Sequence, residues 1–502
     1  MNNKIKILIA FMCYFICSPL YTYANDTLYV SINLKKHKNR TIPVEIKYDK
    51  FDSIKFLEFP RAVPGCYRND ITNFNKVVLN PKVCFENGKI KKTKKRRKKI
   101  LINKKGTEKI SYLAQSTTKD YKLTNPEGSI FSDTLFLLNW NRIIPYIKGK
   151  QNIYKIQITK PQYLKYAGTI KREIINDTLD ILYADNYNQL FHHPVLYGDL
   201  EIYTFKVKDK TVEFAISKGS NNFDVKKHFN KVQNAVNRAY EISLHNPERY
   251  SFLNIISHKS FFGGSALEHP SCSVNALDLE VEKYSENDFC HILTHELCHA
   301  LFTPLYVRSK TIQNFNYTNP QSDPHLWFYE GIAEYLAQKI CLQSGVKNLS
   351  EFLEDMNTAQ FSSLRLTPLY RMSKKIYNRN VLPLSRPIRL MKYADVYSRG
   401  CLIGWLIDIE IYKKTNGKLS LIDVIQRLQR NHQKNGYFNE NELFDLFCKY
   451  SEVDLYPIFN NYIKKGTRIR VKDILDKIGY QIVDSKPFKL KGKYIDDQFW
   501  MR

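Results

Sequence analysis

The chain has 502 residues, 43% hydrophobic and 25% charged, which is enough for two or three domains with real cores and excludes a disordered chain or a bundle of membrane spans. The formal net charge is +28, a balance that attracts anionic partners but says nothing about fold.

Residues 1–24 read as a secretory signal peptide. A basic start, "MNNKIK", precedes the apolar run "ILIAFMCYFI", and small residues near Thr22 and Ala24 set the expected cleavage after Ala24. Ten apolar residues are too few to span a bilayer, which takes about 20. No later apolar run is long enough to cross a membrane, so the expectation is a soluble exported protein, periplasmic or secreted. Eight cysteines remain after cleavage, none in a CxxC pair, so they do not form a cysteine-built zinc site. Export permits disulfides, and Cys66 with Cys84 and Cys272 with Cys290 are candidate bridges.

Residues 25–217 alternate in short runs such as "LYVSINL", "VEIKYD", "KIQITK" and "VEFAIS", the period of half-buried strands; they are expected to form a β-rich N-terminal domain. Inside it lies "KIKKTKKRRKK", Lys89 to Lys99. It reads either as a solvated hairpin or as a contact for an anionic surface. It has no interleaved aromatics and no groove-reading helix, so no specific nucleic-acid partner is expected.

Near Phe223 the period changes to three and four. "FDVKKHFNKVQNAVNRAYEISL" reads as a helix with Asp224 as its cap, followed by a strand-like "SFLNIISH" and then the Gly-containing "FFGGSALEHPSCSV". A catalytic domain is expected over 218–345, a helical domain over 346–466, and a strand-and-loop tail over 467–502.

The helix predicted from Glu286 to Phe302 contains "HELCH". Residues four apart share a helix face, so His295 and His299 can hold one ion while Glu296 leans in as a base. Two histidines packed in a core would give the same string. A hydrolytic zinc site also needs a third ligand and an open position for water. Glu330, in "LWFYEGIAEYLA", supplies one. Glu334 lies four residues further on the same face, placed to hydrogen-bond a ligand histidine and fix its tautomer. Exposed helix acids are the ordinary alternative, but Trp327, Phe328, Ile332, Tyr335 and Leu336 make this helix apolar, and an acid there needs a partner. Tyr397, in "VYSRG", is the candidate donor to the developing oxyanion, with Tyr393 its competitor. His291, one turn before His295, can reach the metal but is expected to be exposed or packed at the helix edge, and His325, ahead of the Glu330 helix where it could line the cleft, is left unassigned.

Together these residues resemble the glycyl aminopeptidase family of gluzincin metallopeptidases. "HELCH" with "LWFYEGIAEY" is similar to its zinc signature, "ALEHPSCSV" to its Gly-Leu-Glu-His-x-x-Ser stretch, and "YSRGCLIGWLIDIEI" to its tyrosine helix. The N-terminal "FPRAVPGCYRND" and "YNQLFHHPVLYGDLEIYTFKV", and the late "YIKKGTRIRVKDILDKIGY", follow in family order. The resemblance implies an α+β protein: a β-sandwich-like N-terminal domain on a thermolysin-like zinc catalytic domain, with a helical C-terminal part. It implies one zinc ion on His295, His299 and Glu330, with Glu296 as base and Tyr397 stabilising the transition state. Glu268 takes the place of the glutamate that grips the α-amine of the substrate. There are departures. "ALFTPLYVRSK" stands where Trp-Asn and a basic stretch are usual, and Ala266 where glycine is. The PDZ domain that many members carry is not expected here.

Three functions follow: a zinc aminopeptidase that removes Gly or Ala from peptide or protein substrates, a zinc endopeptidase on the same scaffold, and a non-catalytic binder of an anionic partner. Glu296 argues against the third, because binding alone has no use for a general base.

Overall fold

The computed structural model describes residues 26–60, 77–96, 98–102, 105–116, 128–217, 224–257, 264–278, 286–303, 307–313, 315–318, 323–362, 367–376, 387–434, 436–485, 488–491 and 498–501. The signal-peptide expectation for residues 1–24 lies outside them.

Alternating runs in the first part of the chain form an eight-stranded sheet. Its strands are β1 (Thr27–Asn33), β2 (Thr41–Lys47), β3 (Val78–Phe85), β4 (Ile90–Lys92), β5 (Thr107–Gln115), β6 (Ile153–Thr159), β7 (Lys171–Asn176) and β8 (Leu179–Ala184), in the order β7-β8-β6-β1-β2-β5-β3-β4. Leu28, Val30 and Ile32 of β1 and Ile42, Val44 and Ile46 of β2 point to one face, as the two-residue period requires, and are buried there.

Behind this face lies a four-stranded sheet of Ile130–Phe131, Leu135–Leu138, Lys165–Ala167 and Val195–Gly198. The run Leu135–Leu138 is buried throughout. Phe136 and Leu138 join the N-terminal core, while Leu135 and Leu137 join a second cluster with Leu253, Ile255, Val274 and Ala276. A strand covered on both faces has no polar side, hence the unbroken apolar string.

The second cluster is the seam to the catalytic sheet. Its strands are β9 (Glu201–Val207), β10 (Lys210–Ser217), β11 (Arg249–Ser257), β12 (Gly264–Glu268) and β13 (Cys272–Asp278), ordered β9-β10-β11-β13-β12. The parallel pair β10–β11 is joined through α1 (Val225–Ile242), whose cap Asp224 accepts a hydrogen bond from Lys227 N at 3.1 Å. β12 is the antiparallel edge strand and carries Glu268 at its end.

This topology corrects the expected boundaries. Glu201 to Ser217 belong to the catalytic sheet and not to the N-terminal domain, because their partner β11 lies beyond the helix. Nor is 346–466 a separate domain. One apolar core runs from Val207 through α2 (Glu286–Leu301), α3 (Ala333–Gln343), α4 (Leu349–Ser362), α5 (Pro387–Lys414) and α6 (Leu421–His432) to Trp500. The tail holds a helix (Val471–Lys477), a hairpin (Gln481–Ser485 with Phe488–Lys491) and the short helix Gln498–Met501. Its Phe499 and Trp500 are buried against Tyr412, Phe352 and Trp405.

The candidate Cys272–Cys290 bridge does not form: both thiols are free. Cys272 faces the N-terminal domain, its thiol 3.8 Å from the His192 carbonyl, while Cys290 lies on α2 beside Thr294, and the sheet separates them. Cys84 also has a free thiol, and Cys66 lies outside the described residues. Among the described residues no helix is long and apolar enough to cross a membrane.

The lysine-rich stretch forms the β3–β4 edge of the large sheet and the short strands beside it. Lys82, Lys89, Lys91, Lys92, Lys94 and Arg96 are exposed there, and charged edges discourage pairing with another sheet.

Three histidines line the domain seam. The short helix Tyr187–Phe191 delivers His192 and His193 against the turn that follows β12. His192 Nδ1 lies 3.4 Å from His269 Nδ1, and His193 Nδ1 lies 2.9 Å from the Thr169 hydroxyl. Burial pushes the His193 pKa down to about 4, and burial with the nearby His193 and Arg308 takes His269 down to about 3. Both are therefore neutral in the folded protein. The unfolded chain takes up these protons below about pH 6.5, so stability is full above that value and falls as pH drops toward 4. The expected loss at pH 5 is on the order of 1–2 kcal/mol per histidine. Unfolding midpoints measured at pH 7 and pH 5 check this, and His193→Gln should reduce the difference by the share of that one histidine.

Candidate metal centre and active site

α2 buries Phe289, Leu293, Leu297 and Leu301 in the core and turns His291, His295 and His299 along one stripe. His295 Nε2 and His299 Nε2 stand 3.1 Å apart. Glu330 closes the triangle, with Oε2 at 3.7 Å from His295 Nε2 and 3.4 Å from His299 Nε2. All three side chains are buried. Zinc with N and O ligands at about 2.0–2.1 Å has a tetrahedral edge of about 3.3–3.4 Å, and the observed edges bracket that value. Two buried imidazoles and a buried carboxylate converging on one point are a donor set that fits zinc.

Glu330 reaches this point from a π-helical turn, Trp327–Ile332, in which every residue is buried. Such turns are rare and concentrate at functional sites. The turn is held by a backbone crossing. A Cβ on Gly331 would lie 2.3 Å from the Cα of Gly400 on α5, and one on Gly400 would lie 2.6 Å from the Cα of Gly331. Only two glycines permit that approach. It brings Tyr397, about one turn before Gly400, beside His295, the two rings 5.6 Å apart. The side chain of Tyr393 lies outside the described residues.

Glu296, next to His295, is buried, and ligand atoms of Glu296, Glu268 and His299 all lie within 4.8 Å of one another. Burial raises the Glu296 pKa to about 7, against the pull of His295 and His299 and with the help of Glu268 and Glu330. Burial also disfavours the charge on Glu330, but hydrogen bonds and charge from His295 and His299 outweigh it and hold that carboxyl far below its usual range. One carboxylate is thus poised to take a proton and the other stays ionised. Glu268 enters from the end of the edge strand β12, half-buried.

Glu334, on α3, faces α2 with both oxygens. Oε1 lies 2.8 Å from His291 Nε2. Oε2 lies 2.8 Å from His295 Nδ1, an ion-pair approach not aligned as a hydrogen bond in this structure. Burial opposes its charge, and His291 and His295 together hold its pKa well below the usual value. Burial likewise lowers the His291 pKa, but Glu334 outweighs it and carries it up to about 9.

The structure therefore brings together His295, His299, Glu330, Glu296, Glu268, Glu334 and Tyr397. Of the two expected placings, exposed or packed at the helix edge, His291 takes the packed one, against Glu334; the signal in the sequence was its place on the same stripe as the other two histidines. His325 is locked elsewhere, its Nε2 2.5 Å from the Glu440 carbonyl and its ring between Tyr370 and Phe444.

Residues 29–199 match the family model described as the peptidase M61 N-terminal domain, and residues 288–403 match the model described as M61 glycyl aminopeptidase. The fold is similar to that of an aminopeptidase N family protein from Idiomarina loihiensis, at 16% identity and a TM-score of 0.76, over 91% of this chain and 79% of that one. It is also similar to an M1 zinc metallopeptidase from Deinococcus radiodurans, at 12% identity and a TM-score of 0.51, over 89% and 95% of the two chains. No curated protein matches.

Adding one methyl group at the glycine crossing must part the two backbones. Gly400→Ala is expected to cost about 1–3 kcal/mol or more and to displace Tyr397. A thermal unfolding midpoint equal to that of the parent would show that the crossing is not tight.

Proposed function

We propose that this chain, which belongs to the M61 glycyl aminopeptidase family, is an exported metallopeptidase that removes single small residues, Gly or Ala, from the amino end of peptides. The observation that carries this is the placing of the Glu268 carboxylate beside Glu296 and His299. A carboxylate within 4.8 Å of the candidate base and of a ligand histidine can pair with a free α-ammonium and disfavours internal peptide segments, which lack that charge.

His295, His299 and Glu330 would hold one zinc ion, and zinc bound there would polarise the scissile carbonyl and lower the pKa of water to about 7. Glu296 takes the proton of the attacking water and passes it to the departing amine. The Tyr397 hydroxyl donates to the carbonyl oxygen as it gains charge. Glu268 anchors the amine and so sets which bond lies at the reacting centre. Glu334 keeps His295 in register from behind. The basic, then apolar, start of the chain supports export, and the exposed cations of the β3–β4 edge support contact with an anionic surface.

The test is a set of peptides, each with a free and with an acetylated amine, given to the chain from Asn25 onward and read by mass spectrometry. The free-amine peptides should lose single residues and the acetylated ones none. Internal cuts in both sets would overturn the role of Glu268 and favour an endopeptidase. Glu296→Gln should lower kcat by about 10²–10⁴-fold with zinc still bound. Chelation should abolish activity, and added zinc should restore it. Tyr397→Phe should lower kcat by about 10²–10³-fold with little change in KM.

A further inference from the structure

We infer that His291 is a positioning residue of the metal centre: it holds one oxygen of Glu334 so that the other stays on His295. The inference rests on the metallopeptidase reading and adds to it a residue that touches neither metal nor substrate.

The geometry is a carboxylate shared between two rungs of one helix. His291 and His295 are one turn apart on α2, and Glu334 faces both from α3. Its Oε1 is 2.8 Å from His291 Nε2 and its Oε2 is 2.8 Å from His295 Nδ1. A half-buried carboxylate held on both oxygens keeps its orientation only while both partners stay, and removing one frees it to turn toward another partner or to water. Among the described residues, the other groups near Glu334 do not offer one. Cys298 and Cys401 present thiols, which are weak donors. Lys347 is the nearby cation, but its Nζ is already bound to Asp355 Oδ2 at 2.5 Å and Gln338 Oε1 at 3.0 Å.

Glu334 also has a way out. Its side chain is 23% exposed, against 8% for His295, so an unheld carboxylate can turn to water. His295 Nδ1 would then lose its partner, and with it the constraint on ring orientation. Outer contacts of this kind govern metal affinity by about 10–100-fold.

The experiment measures zinc affinity by competition with a chromophoric chelator, alongside the unfolding midpoint of the zinc-free protein. The proteins are the parent chain, His291→Phe, His291→Gln, Glu334→Gln and the double variant His291→Phe with Glu334→Gln. His291→Phe should weaken zinc binding about 10–100-fold. His291→Gln, which keeps a donor near Glu334, should recover most of that loss. The double variant should bind zinc no more weakly than Glu334→Gln alone, because both substitutions break the same link. KM of the zinc-saturated His291→Phe enzyme should equal that of the parent.

Unchanged zinc affinity in His291→Phe, with or without a lower unfolding midpoint, would overturn the inference. So would additive losses in the double variant, which would mean that His291 acts by another route. A parent chain that binds no zinc would instead overturn the metallopeptidase reading, a result visible before any variant is made.

Discussion

Two glutamates on an apolar helix cannot stay charged without partners, and this constraint organises the catalytic half of the molecule. Glu330 and Glu334 lie in a segment whose other side chains fill the core. Each is compensated from α2, Glu330 by His295 and His299 and Glu334 by His291 and His295. The packing of α2 on α3 is therefore more than an apolar contact. It fixes the register in which three imidazoles meet two carboxylates, and a slip of one turn would leave one of the two carboxylates with a single histidine.

Around that pair, each remaining element delivers one group. The π-helical turn sets Glu330, and the glycine crossing draws α5 close enough for Tyr397 to lie beside His295. The catalytic sheet ends in an edge strand that presents Glu268. The N-terminal sheets contribute no group to the metal triad. Their role in the site is support: alternate residues of one buried strand pack against the large sheet on one side and against the catalytic sheet on the other. Neutral histidines complete that seam.

Much of the site was legible in the chain. His295, Glu296 and His299 could be read together because a helix repeats every 3.6 residues, so local spacing already fixes which side chains share a face. Glu330 and Glu334 could be read because acids in an apolar helix demand partners. His291 carried the same spacing signal, but nothing local distinguishes a histidine that pairs across helices from one at an exposed edge. The domain boundary was misplaced for a related reason. Glu201 to Ser217 alternate like any strands, and alternation does not say which sheet a strand joins.

The sequence by itself determined the elements and the residues they carry: the strand and helix periods, the candidate ligand and base residues, and the segment from which each comes. Tertiary structure alone decided what depends on groups distant along the chain. Gly331 and Gly400 meet at backbone distance although 68 residues lie between them, and Cys272 and Cys290 stay apart although 17 do. Local periodicity records how a segment presents its own side chains. Only packing decides which other segment receives them, because the free energy of that choice comes from surfaces that do not yet exist in the extended chain.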